Sequence, residues 1–401
     1  MSESREPFYR ERRLPPYVFA EVNRIKLAYR QAGRDIIDFG MGNPDLAPAP
    51  HIVDKLKEVA ADPRAHRYSA SQGVPSLRKA LSRYYARRFN VALDPDHEVC
   101  VTLGSKEGLA NLAQAITAPG DVILAPDPSY PIHMFGFIIA GAAVRPVGFD
   151  TPEQFLREAA HACRRSIPAP SALVLNFPSN PTAQVVDIGF YEEAVKLARR
   201  ENLVLISDLA YSEIYFDGEP PRSILEVPGA REVAVEFTSM SKTYSMPGWR
   251  IGFAAGSARL IEALKRVKSY LDYGAFTPVQ IAAVAALDGP QDCVAEARDI
   301  YRARRDVLVE SFSRAGLDVP SPPATMFAWA PIPPAFAELG SVEFSKRLLE
   351  QTGVAVAPGL GFGERGDGHV RLALVENEQR IRQAARALKG FFASDAAQAT
   401  G

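Results

Sequence analysis

Lys242 stands in the stretch SMSKTYSMPGWR, Ser239 to Arg250, among three serines, a threonine and an arginine. The run VAVEFT before it and the run IGFAAG after it both read as buried strands. An ammonium where buried strands meet a polar loop costs free energy unless it has a chemical use. A lysine amine that has lost its proton is a nucleophile and a base. The hydroxyls of Ser239 and Ser241 and the guanidinium of Arg250 are donors suited to a phosphate, which arginine grips with two parallel hydrogen bonds. A second donor cluster, Gly104-Ser105-Lys106-Glu107, lies where a strand passes into a helix. Free backbone N–H groups at such a junction attract an anion.

Other polar residues stand at the ends of apolar runs. Asp208 ends LVLIS and is suited to hold a ring nitrogen protonated. Tyr211 and Asn180 can both donate to a phenolate oxygen, and Tyr130 can stack on an aromatic ring. Singly, each has a plainer use: Ser105 as an N-cap, Asp208 as a turn cap, Arg250 in a surface ion pair. Together, a phosphate cradle, an acid for a ring nitrogen, two donors for a ring oxygen, a stacking ring and one lysine describe a site for pyridoxal 5′-phosphate.

The elements that must position these residues alternate in type. Glu98–Leu103, Asp121–Ala125, Ala172–Asn176 and Leu203–Ser207 read as strands, and Lys106–Thr117 and Phe190–Arg200 as helices. This alternation predicts an α/β fold with a mostly parallel sheet covered on both faces by helices. In such folds ligands sit at the carboxyl ends of the strands, where the polar residues above lie. The last hundred or so residues differ. Ala295–Ala315, Ser341–Gln351 and Glu376–Phe392 read as helices, the last with an apolar stripe at Ile381, Ala384, Ala385 and Leu388. His369–Leu374 reads as a strand carrying Arg371, delivered by the glycine-rich GLGFGERG. That loop fits neither phosphate-binding glycine pattern of nucleotide sites. The expected architecture is a large domain, residues 48–289, and a smaller α+β domain from 1–47 with 290–401. The tail ASDAAQATG is expected to be disordered.

Bulk properties exclude other classes. The net charge of −1 gives no field to recruit nucleic acid or an anionic membrane. Cys100, Cys163 and Cys293 are too widely spaced for a metal pair or a disulfide framework. No run of about 18 apolar residues predicts a membrane span, and MSESREPFYRERR lacks the apolar core of a signal peptide. The expectation is a cytoplasmic protein that binds neither membrane, metal nor nucleic acid.

The motifs SNPT, DLAY, SMSKTYSMPGWR and HVRLAL, in this order and spacing, resemble the class I/II aminotransferases of pyridoxal-phosphate fold type I. The resemblance spans roughly residues 12 to 393. It departs at Ala183, where the family usually has glycine. The stretches RLPPYVF, IIDFGMGNPD, YSASQGVPSLR, GSKEGLA, PDPSYPIH, FPSNPTAQ and DYGAFTPVQ resemble the bacterial glutamate–pyruvate (alanine) aminotransferases. LL-diaminopimelate aminotransferases and some aspartate aminotransferases are similar too.

The resemblance implies a large domain with a mostly parallel seven-stranded sheet, a homodimer, and a set of roles. Lys242 would carry the cofactor as a Schiff base and later move the proton at the substrate α-carbon. Asp208 would pair with the ring nitrogen, Tyr211 and Asn180 with the 3′-oxygen, and Tyr130 would stack on the ring. Ser105, the Lys106 backbone, Ser239, Ser241 and Arg250 would hold the phosphate, and Tyr68 would reach the phosphate of the other subunit. Arg371 would take the substrate α-carboxylate, assisted by Asn180 and the Gly42 backbone. The Lys106 side chain is further expected to meet the distal carboxylate of glutamate, with Tyr17 closing over the site. Aspartate, LL-diaminopimelate and aromatic transamination are the competing specificities, and a C–S lyase is a more distant one. A transcription regulator with a DNA-binding domain ahead of this fold is not expected, because the resemblance starts within about a dozen residues of Met1.

Overall fold

The computed structural model describes residues 8–16 and 18–398. In chain order its strands are β1 (Ile37–Asp38), β2 (Val99–Thr102), β3 (Val122–Asp127), β4 (Ala143–Gly148), β5 (Pro170–Asn176), β6 (Val204–Asp208), β7 (Ala234–Ser239), β8 (Gly252–Gly256), β9 (Phe327–Pro331), β10 (Val354–Ala355), β11 (Ala357–Pro358) and β12 (His369–Ala373).

Seven of these strands form one sheet in the order β2-β8-β7-β6-β5-β3-β4. Neighbours are parallel except that β8 runs antiparallel to both β2 and β7. Both faces are apolar, as a sheet covered on two sides requires. Along β5, Leu173 and Leu175 enter one core cluster while Ala172 and Val174 enter the other. Strand β7 divides likewise, Ala234 to the first and Val235 and Phe237 to the second. One face is covered by helices Pro75–Phe89 and Ile188–Glu201, the other by Ser105–Ile116 and Ala258–Leu271.

A second body has its own apolar cluster, with Phe312, Phe327, Phe344, Leu372 and Leu388 among its members. Its three-stranded antiparallel sheet runs β11-β12-β9. Strand β1 pairs in parallel with β10, Ile37 opposite Val354, so an early segment joins elements from the far end of the chain. The expected stripe Ile381, Ala384, Ala385 and Leu388 is buried. Its helix starts at Glu378 and runs on to Gln398, so residues 393–398 of the expected disordered tail are helical. The alanines of that segment explain this, since alanine is the strongest helix former. Among the described residues no helix is long and apolar enough to cross a membrane.

Candidate active site

The carboxyl ends of β2, β3, β5, β6 and β7 converge on a cavity of about 400 Å³ between the large sheet and the second body. It is lined by Ser105, Lys106, Tyr130, Asn180, Asp208, Tyr211, Ser239, Ser241, Lys242 and Arg250 from one side. Gly42, Phe327, Val356, Phe362 and Arg371 close it from the other. Nearly all the residues singled out in the sequence therefore meet in one place. Tyr68 does not line it: the side chain is 86% exposed and its ring lies 4.6 Å from that of Tyr273. Tyr17 lies outside the described residues.

The reversal of β8 brings Arg250 to the same edge as Lys242. Arg250 has a left-handed backbone (φ 53°), and its guanidinium donates to Leu103 O at 3.1 Å and Pro247 O at 2.8 Å. Gly104, with φ 88°, makes room, because a Cβ there would run into that guanidinium. The helix Ser105–Ile116 begins directly after it with no side-chain cap. Ser239 accepts the Ser241 N–H at 3.1 Å, turning both hydroxyls to this corner. Backbone N–H groups, three hydroxyls and a guanidinium thus gather at one corner of the cavity, the chemistry of a dianion cradle.

Lys242 Nζ donates to Gly42 O at 2.7 Å. Loss of solvent, with Arg371 and then Arg250 nearby, brings its pKa down from 10.5 to about 7. The amine therefore reaches its neutral, nucleophilic form near neutral pH. Burial pushes the Tyr211 phenol up, so it stays a hydrogen-bond donor. Its ring lies 5.9 Å from Lys242 Nζ.

Arg371 is 6% exposed. Its guanidinium lies 4.0 Å from the Phe327 ring centroid and 4.7 Å from that of Phe362, and it donates to Asn180 Oδ1 at 2.9 Å. Two aromatic faces and an amide thereby orient the fork toward the cavity. Gly42 is needed here, since an added Cβ would lie 2.8 Å from the Phe327 ring and 3.4 Å from Arg371 Nη2.

Sequence reasoning passed over several contributors. His133, fully buried, bonds Asp208 Oδ2 through Nε2 at 2.9 Å and Ser129 Oγ through Nδ1 at 2.6 Å. An accepting Asp208 places the ring proton on Nε2, leaving Nδ1 to accept from the Ser129 hydroxyl. The signal was present in PDPSYPIH, since Ser129 and His133 stand four apart at a helix start. Phe19, Phe327 and Phe362 line the cavity, yet each reads as core by type. The loop GLGFGERG does more than deliver a strand: it supplies Phe362, whose carbonyl accepts the Ser129 N–H at 2.7 Å.

This sheet order, with a lysine after the seventh strand and an arginine on the second body, defines a fold-type-I pyridoxal-phosphate enzyme. The model of the aminotransferase class I and II family matches residues 34–388, and the chain belongs to that family. It is 63% identical to the putative aminotransferase AatC of Rhizobium meliloti, over 97% of this chain and 96% of that protein. It is 53% identical to the glutamate-pyruvate aminotransferase AlaC of Escherichia coli, over 97% and 94%. A mutant aspartate aminotransferase of Thermus thermophilus superposes with a TM-score of 0.87 at 30% identity, covering 96% of this chain and all of that one. The protein is an aminotransferase, and its cofactor is pyridoxal 5′-phosphate.

Proposed function

We propose that the protein exchanges an amino group between L-alanine and L-glutamate, with pyruvate and 2-oxoglutarate as the oxoacids. The observation that carries this is the substrate end of the cavity. Arg371 is set for the carboxylate that all four compounds share, and the walls beside it are Phe19, Phe327, Phe362 and Val356. Such walls admit a methyl group. Lys106, which makes no ion pair among the described residues, stands at the rim with Nζ 5.9 Å from the Tyr130 ring centroid and is available for a second carboxylate. The 53% identity to a glutamate-pyruvate aminotransferase supports the same choice over aspartate, LL-diaminopimelate or aromatic substrates.

The residues fit the cofactor. The cradle of Ser105, the Lys106 backbone, Ser239, Ser241 and Arg250 suits its phosphate, and Asp208 its ring nitrogen. Asn180 and Tyr211 suit its ring oxygen, and Tyr130 its face. Bound here, the cofactor supplies an electron sink for the bonds at the substrate α-carbon. The protein's own groups do the rest. Arg371 and Asn180 fix the carboxylate, so the α-carbon faces Lys242. The neutral Lys242 amine takes the α-proton and returns one, and Asp208, held by His133, keeps the ring nitrogen protonated. The two half-reactions alternate at one site in ping-pong order.

In this reading residues 48–289 form the cofactor-holding domain, and 290–401 with the segment before residue 48 the smaller one. The enzyme works as a cytoplasmic homodimer, with Tyr68 completing the partner's phosphate site. An exposed set of Tyr68, Tyr270, Leu271, Tyr273 and Phe276 supports the dimer, because a patch of that kind calls for cover.

The test is absorbance of the cofactor-loaded protein mixed with one amino acid at a time, with no oxoacid present. Conversion to the pyridoxamine form by both L-alanine and L-glutamate is expected. Conversion by glutamate and aspartate but not alanine would move the assignment to an aspartate aminotransferase. Pyruvate and ammonia released from a cysteine conjugate without an oxoacid would point to a lyase.

A further inference from the structure

Two of the cations that line the cavity donate to one short piece of main chain: Lys242 Nζ to Gly42 O at 2.7 Å, and Arg371 Nη2 to Gly40 O at 3.3 Å. This piece, Gly40-Met41-Gly42, holds two glycines and an exposed methionine. Its fixed point is Asp38. The Gly40 N–H donates to Asp38 Oδ1 at 3.0 Å. Lys26 Nζ lies 3.0 Å from Asp38 Oδ2, and Arg30 Nη2 lies 3.1 Å from the same oxygen. The Asp38 N–H donates in turn to Glu376 Oε1 at 3.1 Å. Gly40 leaves no slack, since a Cβ there would sit 3.3 Å from both Asp38 Oδ1 and the Val356 carbonyl.

Lys26 and Asp38 are 4% and 8% exposed. Burying two charges costs desolvation that their attraction barely offsets, and an apolar pair of similar size would hold the fold as well or better. The pair is therefore better explained by what it orients than by stability. Lys26 also sits on the face of helix Phe19–Gln31 that turns Phe19, Val22 and Asn23 to the cavity. Spacings of three, four and seven residues put all four on one side.

We propose that Asp38 is a positioning residue for substrate-carboxylate binding: by holding Gly40 through its N–H it places the Gly40 carbonyl that receives the fork of Arg371, with Lys26 as its counter-ion. The inference rests on the reading of Arg371 as the α-carboxylate site. Asp38 touches no substrate. It sets where Arg371 points, and it registers the helix at the cavity mouth to the same loop.

The experiment titrates propionate, a carboxylate with no amine to react, into the cofactor-loaded enzyme by calorimetry. It compares Lys26→Met/Asp38→Asn with Lys26→Met/Asp38→Leu. Both remove the two buried charges together and leave Arg30, whose side chain is 55% exposed, to solvent in the same way, and thermal unfolding confirms that each is folded. Asparagine keeps an acceptor for the Gly40 N–H and leucine does not. The asparagine variant should bind propionate within about threefold of the parent, and the leucine variant about tenfold or more weakly, as befits one lost charge-assisted hydrogen bond. KM for L-alanine should follow the same order. Equal affinity in the two variants, whether retained or lost, overturns the proposal. If the leucine variant does not fold, the asparagine arm still decides: retention supports the proposal, and a tenfold loss with the acceptor present overturns it. Arg371→Lys in the same titration separates the two readings. Unchanged propionate binding there removes Arg371 as the carboxylate seat and this inference with it. A loss there beside unchanged binding in both Asp38 variants overturns the inference alone.

Discussion

At the scale of single residues, the amine of Lys242 governs a pH effect with a definite sign. In the cofactor-free protein it titrates near 7, against 10.5 for an ordinary lysine, because it is buried beside Arg371 and Arg250. Between those pH values the unfolded chain binds more protons than the folded one, so this group makes stability rise with pH. Below about pH 7 the folded chain carries the full cost of the enclosed ammonium. The urea midpoint of cofactor-free protein should therefore climb between pH 7 and 9.5 relative to Lys242→Met, and a constant difference would refute the depressed amine. Lys106→Leu tests the substrate reading: kcat/KM for L-glutamate should fall about tenfold or more, the size of one lost charged contact, while that for L-alanine changes little. Equal losses would return Lys106 to the solvent. Lys242, Asp208 and Asn180 could be singled out in the sequence only as a set, since each alone has a plainer structural use, and Arg371 only through the family resemblance. Phe19, Phe362 and Lys26 could not be singled out at all. An aromatic residue at helical spacing looks the same whether it faces core or substrate, and a buried lysine is found only once its partner is placed.

At the scale of elements, the central strand β7 carries a carboxylate with no opening to water. Glu236 is fully buried and accepts from the hydroxyls of Ser223 at 2.6 Å, Tyr85 at 3.0 Å and Ser207 at 3.1 Å, and from the Ile224 N–H at 3.2 Å. Burial raises its pKa to about 7 despite these donors. Glu236→Leu would take the shared partner from all four, leaving Tyr85 only the Thr238 hydroxyl at 3.4 Å, at a cost of about 3 kcal/mol or more by the usual penalty for unpaired buried groups. Chemical denaturation should show that loss, while kcat of the folded, cofactor-loaded fraction stays near wild type. A variant as stable as the parent would mean the donors find other partners. The mostly parallel pattern followed from alternating apolar runs, whereas the strand order and the reversal of β8 had no local signature, since IGFAAG suits either direction. Ala183, a departure already visible in the sequence, gains its physical meaning from the backbone. It keeps a left-handed backbone (φ 60°) where the family's usual glycine would carry no penalty.

At the scale of the whole molecule, the shared-site reading makes activity a property of two chains. A Lys242→Ala chain and a Tyr68→Ala chain should each be nearly inactive alone. Mixed and reassembled, they should regain activity, because a heterodimer pairs an intact Lys242 with an intact Tyr68 from the other subunit. No recovery in a verified heterodimer would remove Tyr68 from the partner's site. The pairing of β1 with β10 reaches further, into how the protein is made. All seven strands of the large sheet have left a ribosome once Gly256 is clear of it, so that sheet can assemble while the rest is still being translated. The second body cannot. Ile37 and Asp38 must wait exposed for Val354 and Ala355, and Gly40 for the strand that brings Arg371. Contacts of such separation form slowly, and waiting apolar segments are exposed to association. The nascent chain thus holds a nearly finished cofactor cradle long before it has a seat for substrate.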